Sequence, residues 1–142
     1  MIQNNKIKWF QVLAMIVGIY HSLLGLIGLL APANFVVAVA SKVYGLTIVA
    51  GAQFIVTARF ASAYMLALGI MAIFMARKPR EYAVFIWPIV IMIAARILTR
   101  LFYAEDIYRA FGAGWAENIR MIAVVALIAI GLLSLRPKNE SR

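Results

Sequence analysis

Between Trp9 and Leu30 the chain runs for 22 residues without an aspartate, glutamate, lysine or arginine. As a helix rising 1.5 Å per residue, that run reaches about 33 Å, enough to cross a hydrocarbon core of about 30 Å. Lipid offers no partner to backbone N–H and C=O groups, so a spanning segment closes its hydrogen bonds within itself as a helix. Inside the run, Gln11, Ala14, Gly18, His21, Gly25 and Gly28 recur in alternating steps of three and four. Those steps place them on one helical face. Small residues on such a face let a second helix come close, so the stripe is expected to be a seam of a helical bundle. It also carries the protein's single histidine.

The rest of the chain has the same character, with 65% hydrophobic and 13% charged residues over 142 positions. That excess of apolar surface points to an integral membrane protein of one domain, residues 1–142. Four spans are expected, at about 9–30, 56–75, 82–103 and 115–135. The fold class is all-α, a membrane four-helix bundle. Ala31-Pro32-Ala33 has the small-x-small form of a signal-peptide cleavage site, but the preceding run is too long, and it is read as a retained first span. Ala31 to Asn34 ends that span, because proline cannot continue the hydrogen-bond ladder.

Phe35 to Ala58 is apolar but interrupted by Ser41, Lys42, Gly45, Gly51 and Gln53. A full span there would leave only Arg59 to turn the chain before Phe60, which is too short. A short amphipathic or re-entrant helix near 34–43 is expected, followed by an extended or helical lead-in to the second span. Alternatively, one helix from Val43 to Ala76 would overrun the bilayer. Trp87-Pro88 falls in the first turns of the third span, where proline is tolerated or gives a kink. Residues 105–114 read as a polar connection.

Four spans put Lys6, Lys8, Arg77, Lys78, Arg80, Arg136, Lys138 and Arg142 on one side. The positive-inside rule makes that side cytoplasmic, with both termini there, in a bacterial inner membrane. The net charge of +9 is thereby explained by topology, and no nucleic-acid partner is expected. With no cysteine and one histidine, no metal site is expected, and no catalytic or cofactor motif of the GxSxG, HExxH, Walker or GxGxxG kind is present.

Placed by depth, the remaining polar residues gather in the outer half. His21, Arg59, Arg96, Arg100 and Glu117 are the candidate ligand-binding residues. Glu105, Asp106 and Arg120 lie near them. Charge at mid-bilayer is costly, and such residues face protein or water and find partners. One reading is an internal ion-pair cluster, opening outward, in which three arginines and His21 face the acids Glu105, Asp106 and Glu117. The other is that Arg59, Arg100 and Arg120 snorkel to the interface, their pairing with Glu105, Asp106 and Glu117 merely closing the bundle. Arg96 is deeper, and His21 either packs across helices or serves a ligand. The tyrosines read first as interfacial belt residues.

Arg59-x9-Gly69 opening the second span, Arg77-Lys78-Pro79 after it, and Arg96 or Arg100 in the third resemble the small four-helix bacterial membrane proteins of the DoxX-like group. The resemblance covers roughly Gly18 to Leu101. It implies the four-helix membrane fold and, by analogy with some relatives, an association with quinone-linked enzymes.

The leading expectation is an accessory or small-ligand-binding protein rather than an enzyme, with no resident cofactor. A lipid or quinone-like ligand would enter the outer half near His21, Arg59 and Arg96. Membrane lipid and a homo-oligomer or larger membrane complex are the expected partners. The alternatives are an oligomeric transporter or channel and, third, an enzyme on a lipid or quinone with His21 and Glu117 as acid and base.

Overall fold

The computed structural model describes residues 2–49 and 51–137. Lys138 and Arg142, counted above among the one-sided cations, lie outside the described residues. The described residues form six α-helices: α1 Ile2–Leu30, α2 Ala33–Tyr44, α3 Ala52–Arg77, α4 Ile86–Phe102, α5 Ala104–Phe111 and α6 Trp115–Leu135. Four of them, α1, α3, α4 and α6, are long and apolar enough to cross a membrane. They alternate in direction, so α6 returns to the end at which α1 begins. That end is called the terminal end below, and the opposite one the far end.

Local chemistry fixes the breaks. Pro32 caps α2 with an extended backbone, having no N–H to lose there. Gly45 ends α2 in the left-handed region at φ 66°, and its N–H donates to Ser41 O. Leu46 N–H donates to the same carbonyl at 3.1 Å, so orphan groups of the last turn are closed. Residues 45–49 and 51 are not helical. This break disposes of the long helix from Val43 to Ala76, and α2 is the short extra helix expected between the first two spans. Pro79 terminates α3, because the residue before a proline is driven out of helical geometry.

Several expected bounds move. The first helix begins at Ile2 instead of Trp9, because the polar leader continues the same helix outside the apolar run. Its 29 residues reach about 43 Å, beyond a bilayer core. The second span begins at Ala52 instead of Val56. The third begins with a 3-10 turn at Ala83–Phe85 and becomes α-helical at Ile86. Pro88 is thus the third residue of α4, where its missing N–H has no intrahelical partner to lose. The polar connection contains α5, with Glu105 and Asp106 in its first turn and Arg109 in its last, matching the helix dipole.

The stripe on α1 is the closest seam. It lies antiparallel against α3, with Gly18 against Ile73, Gly25 against Leu66 and Gly28 against Ser62. Gly69 returns the contact from α3 against Ser22. Gln11 Nε2 donates to Ala76 O at 3.0 Å at the terminal end. The second pair, α4 and α6, is held at both ends. Arg100 Nη1 donates to Asn118 Oδ1 at 2.6 Å, and the Arg136 guanidinium lies 5.3 Å from the Trp87 ring centroid.

The packed core occupies the terminal half. It is built from Phe10, Ala14 and Val17 of α1, Ala72, Met75 and Ala76 of α3, Ile86, Ile89 and Ile93 of α4, and Leu132 of α6. The far half is filled differently. There α2 lies over the spans with Val36 buried, and what remains beneath it is a cavity.

Candidate functional site

The cavity has a volume of about 430 Å³. That lies within the roughly 300–1,000 Å³ typical of small-molecule sites. Its walls come from every element of the far half except α6. Val17, His21, Leu24 and Gly28 contribute from α1, Ala58, Ser62, Met65 and Leu68 from α3, and Ile93 and Arg96 from α4. Val36, Val39, Ala40 and Tyr44 of α2 form the cover, continued by Leu46 and Ile48. The cover is tied down by a main-chain bond from Thr47 N–H to Phe111 O at 2.7 Å. Two lining side chains, Tyr64 of α3 and Met92 of α4, are 68% and 39% exposed. The lining therefore reaches the surface at these two side chains.

Its polar groups are few. His21 Nδ1 lies 2.9 Å from Val17 O, one turn back on α1. A carbonyl only accepts, so Nδ1 carries the proton, and in the neutral ring Nε2 keeps its lone pair. The Tyr20 ring stands edge-on to the imidazole, with centroids 5.3 Å apart. The Arg96 guanidinium lies 5.9 Å from the Tyr44 ring centroid, so the cation of α4 meets the last residue of the cover. Tyr44 O–H points to Met65 Sδ at 3.9 Å, a weak acceptor. Ser62 Oγ donates to Ala58 O at 2.7 Å, which satisfies the hydroxyl within its own helix.

Comparison of the chain with protein-family models, with curated proteins and with solved structures finds no match. The site is therefore read from its own residues.

Of the five residues singled out in the sequence, the structure brings two to this cavity, His21 and Arg96. Arg59 is exposed at the far end, where Nη1 reaches Leu29 O at 3.5 Å. A cation there complements the last turn of α1, whose carbonyls lack helical partners. Arg100 turns the other way, to Asn118, whose side chain is buried at 1% exposure. Glu117 sits beside the chain at Gly45 and Gly114, with Arg120 also near Gly45.

The expected ion-pair cluster of Arg59, Arg100 and Arg120 with Glu105, Asp106 and Glu117 does not form among the described residues. Glu105 pairs instead with Arg109 on its own helix, and the other ion pair joins Lys78 and Glu81 in the α3–α4 turn. Side-chain reach explains the difference. Residues four apart on one helix meet without ordering a second element, whereas the cluster needed four helices, α3 to α6, to converge. Glu117 does not line the cavity with His21, so the proposed acid–base couple is not assembled there.

Residues that the sequence reading passed over are the α2 wall and Met65. The signal was available. Val36, Val39, Ala40 and Val43 are spaced as one apolar face on a helix too short to span.

Proposed function

We propose that this chain is a binding protein for a small hydrophobic molecule, lipid or quinone-like, in a bacterial inner membrane. The observation that carries the reading is the cavity of about 430 Å³ under α2, apolar over most of its wall and reaching the surface at Tyr64 and Met92. A packed terminal half with a hollow far half is what a binding bundle requires and what a purely structural bundle avoids, since interiors otherwise pack as tightly as organic crystals. His21 and Arg96 give one region of the wall the polarity that would orient a ligand head. The basic residues at the terminal end, Lys6, Lys8, Arg77, Lys78, Arg80 and Arg136, favour a cytoplasmic terminal end. The cavity would then face the outer leaflet. The DoxX-like resemblance agrees with a small accessory protein and is part of this proposal.

The test is equilibrium binding of tritiated hexadecanol to the purified protein in neutral detergent. Wild type should bind it saturably. Ala40→Trp, which puts an indole into the cavity from α2, should lose that binding. Val49→Trp should retain it, because Val49 is exposed and lines no cavity. Equal binding by all three proteins would sink the reading, since the probe would then be reporting non-specific partition into protein and micelle.

A further inference from the structure

Resting on the reading of the cavity as a binding site, we infer that its ligand is a single-chain amphiphile with a monoanionic head, a fatty-acid carboxylate, received by Arg96. The first support is an unanswered charge. Arg59, Arg100 and Arg109 each have an oxygen partner, in Leu29 O, Asn118 Oδ1 and Glu105 respectively. Among the described residues Arg96 has no hydrogen-bond or ion-pair partner, only the Tyr44 ring beside it. An aromatic face attracts a cation but does not neutralise it. Among the described residues no aspartate or glutamate lines the cavity. A guanidinium in an apolar cavity without a counter-ion is a receptor for one, and its planar fork suits a carboxylate through two parallel hydrogen bonds.

The second support is stoichiometry of charge. Among the described residues Arg96 is the only arginine or lysine on the wall. One cation balances a monoanion, whereas a doubly charged phosphate would carry an uncompensated negative charge into an apolar site. His21 adds polarity without a second committed charge. Its Nδ1–H is already donated to Val17 O, and its Nε2 remains for a protonated head or a water.

The third support is size. A cavity of about 430 Å³ lies toward the small end of the roughly 300–1,000 Å³ range of small-molecule sites, the size class of a single-chain ligand. Tyr64 and Met92, exposed on the lining, mark where such a chain would enter from the surrounding hydrocarbon.

The experiment compares tritiated palmitate, hexadecanol and palmitoyl-lysophosphatidylglycerol on the full-length protein in neutral detergent. All three carry one sixteen-carbon chain. The first and third are monoanions, the second is neutral. Wild type should bind palmitate about 10–100-fold more tightly than hexadecanol, the range expected of a hydrogen-bonded charge pair. Arg96→Gln should erase that preference by weakening palmitate alone, and Arg96→Lys should restore part of it. Equal affinity of wild type for palmitate and hexadecanol would overturn the assignment of the head, while the cavity reading would stand if Ala40→Trp still lost both. Tighter binding of the lysophospholipid than of palmitate would overturn the carboxylate in favour of a phosphodiester. Because the palmitate–hexadecanol comparison is made on wild type, a folding defect in the Arg96 variants would not rescue the inference.

Discussion

Replacing Gly25 with alanine puts a methyl carbon 2.6 Å from the Leu66 backbone nitrogen and 2.8 Å from its Cα. Ordinary contact begins at 3.4 Å, so the two helices must separate by about 0.8 Å at this level, the difference between 3.4 and 2.6. The opposing atoms are main chain, and no rotamer change relieves them. A gap of 0.5–1 Å forfeits about a quarter to a half of the dispersion energy along its lining. Overpacking of this kind costs about 1–3 kcal/mol. Alanine recovers up to about 1 kcal/mol through its better helix propensity. The packing loss is the larger effect, and the expected net is a destabilisation of about 1–2 kcal/mol. The assay is unfolding in dodecyl maltoside micelles by titration with dodecyl sulfate, followed by far-ultraviolet circular dichroism. Gly51→Ala is the control, since nothing lies within 4 Å of its added methyl and its φ of −98° suits any residue. It should stay within about 0.5 kcal/mol of wild type. If Gly25→Ala were as stable as Gly51→Ala, the stripe would not be a contact seam and the α1–α3 register described above would be wrong.

Other outcomes follow from the same contacts. Asn118→Ala should cost about 1.5–3 kcal/mol by stranding Arg100, and the Asn118→Ala, Arg100→Leu double variant should cost less than the sum of the singles in a double-mutant cycle. Ser22→Ala should be neutral or stabilising by up to about 1 kcal/mol in the same titration, because Ser22 Oγ is buried without a hydrogen-bond partner. Gly45→Ala should destabilise by about 1–2 kcal/mol and speed exchange of the amides of α2, since its left-handed backbone strains any residue with a Cβ. In the α3–α4 turn, hydrogen bonding to Lys78 holds the Glu81 carboxyl below its usual range. A depressed acid adds stability above its unfolded pKa of about 4.3 and loses it as pH falls through the lower folded value. The pair is exposed, so Glu81→Gln should leave the unfolding midpoint at pH 7 unchanged within error.

Spacing and size were readable in the chain, and side-chain direction was not. The α1 stripe is legible because three-and-four steps of small residues have one outcome on a helix, a close approach, and α3 supplies it through Gly69 and Ser62. The fourth span is legible to the residue, Trp115 to Leu135, because Gly114 and Pro137 bracket it. α2 is legible as a short helix because Pro32 and Gly45 punctuate it, but its role as a cover depends on which face turns inward. α5 is hidden because AEDIYRAF is polar and only eight residues long, so its stability comes from end charges and the Gly112 cap. Depth alone brought Arg59, Arg96 and Arg100 together. On α4, Arg96 and Arg100 are one turn apart, yet one meets Tyr44 and the other Asn118. That divergence is set by the neighbours, α2 and α6, whose placement no local pattern encodes.

The central claim is that a hydrophobic molecule occupies the space under α2. The most direct measurement is photolabelling of the wild-type protein with a diazirine-bearing sixteen-carbon alcohol, mapped by peptide mass spectrometry. Adducts should concentrate on lining residues such as Val39, Met65, Leu68 and Ile93, and disappear with excess unlabelled hexadecanol. Adducts spread over lipid-facing residues such as Ile16, Leu127 and Ile130, and indifferent to competitor, would contradict it.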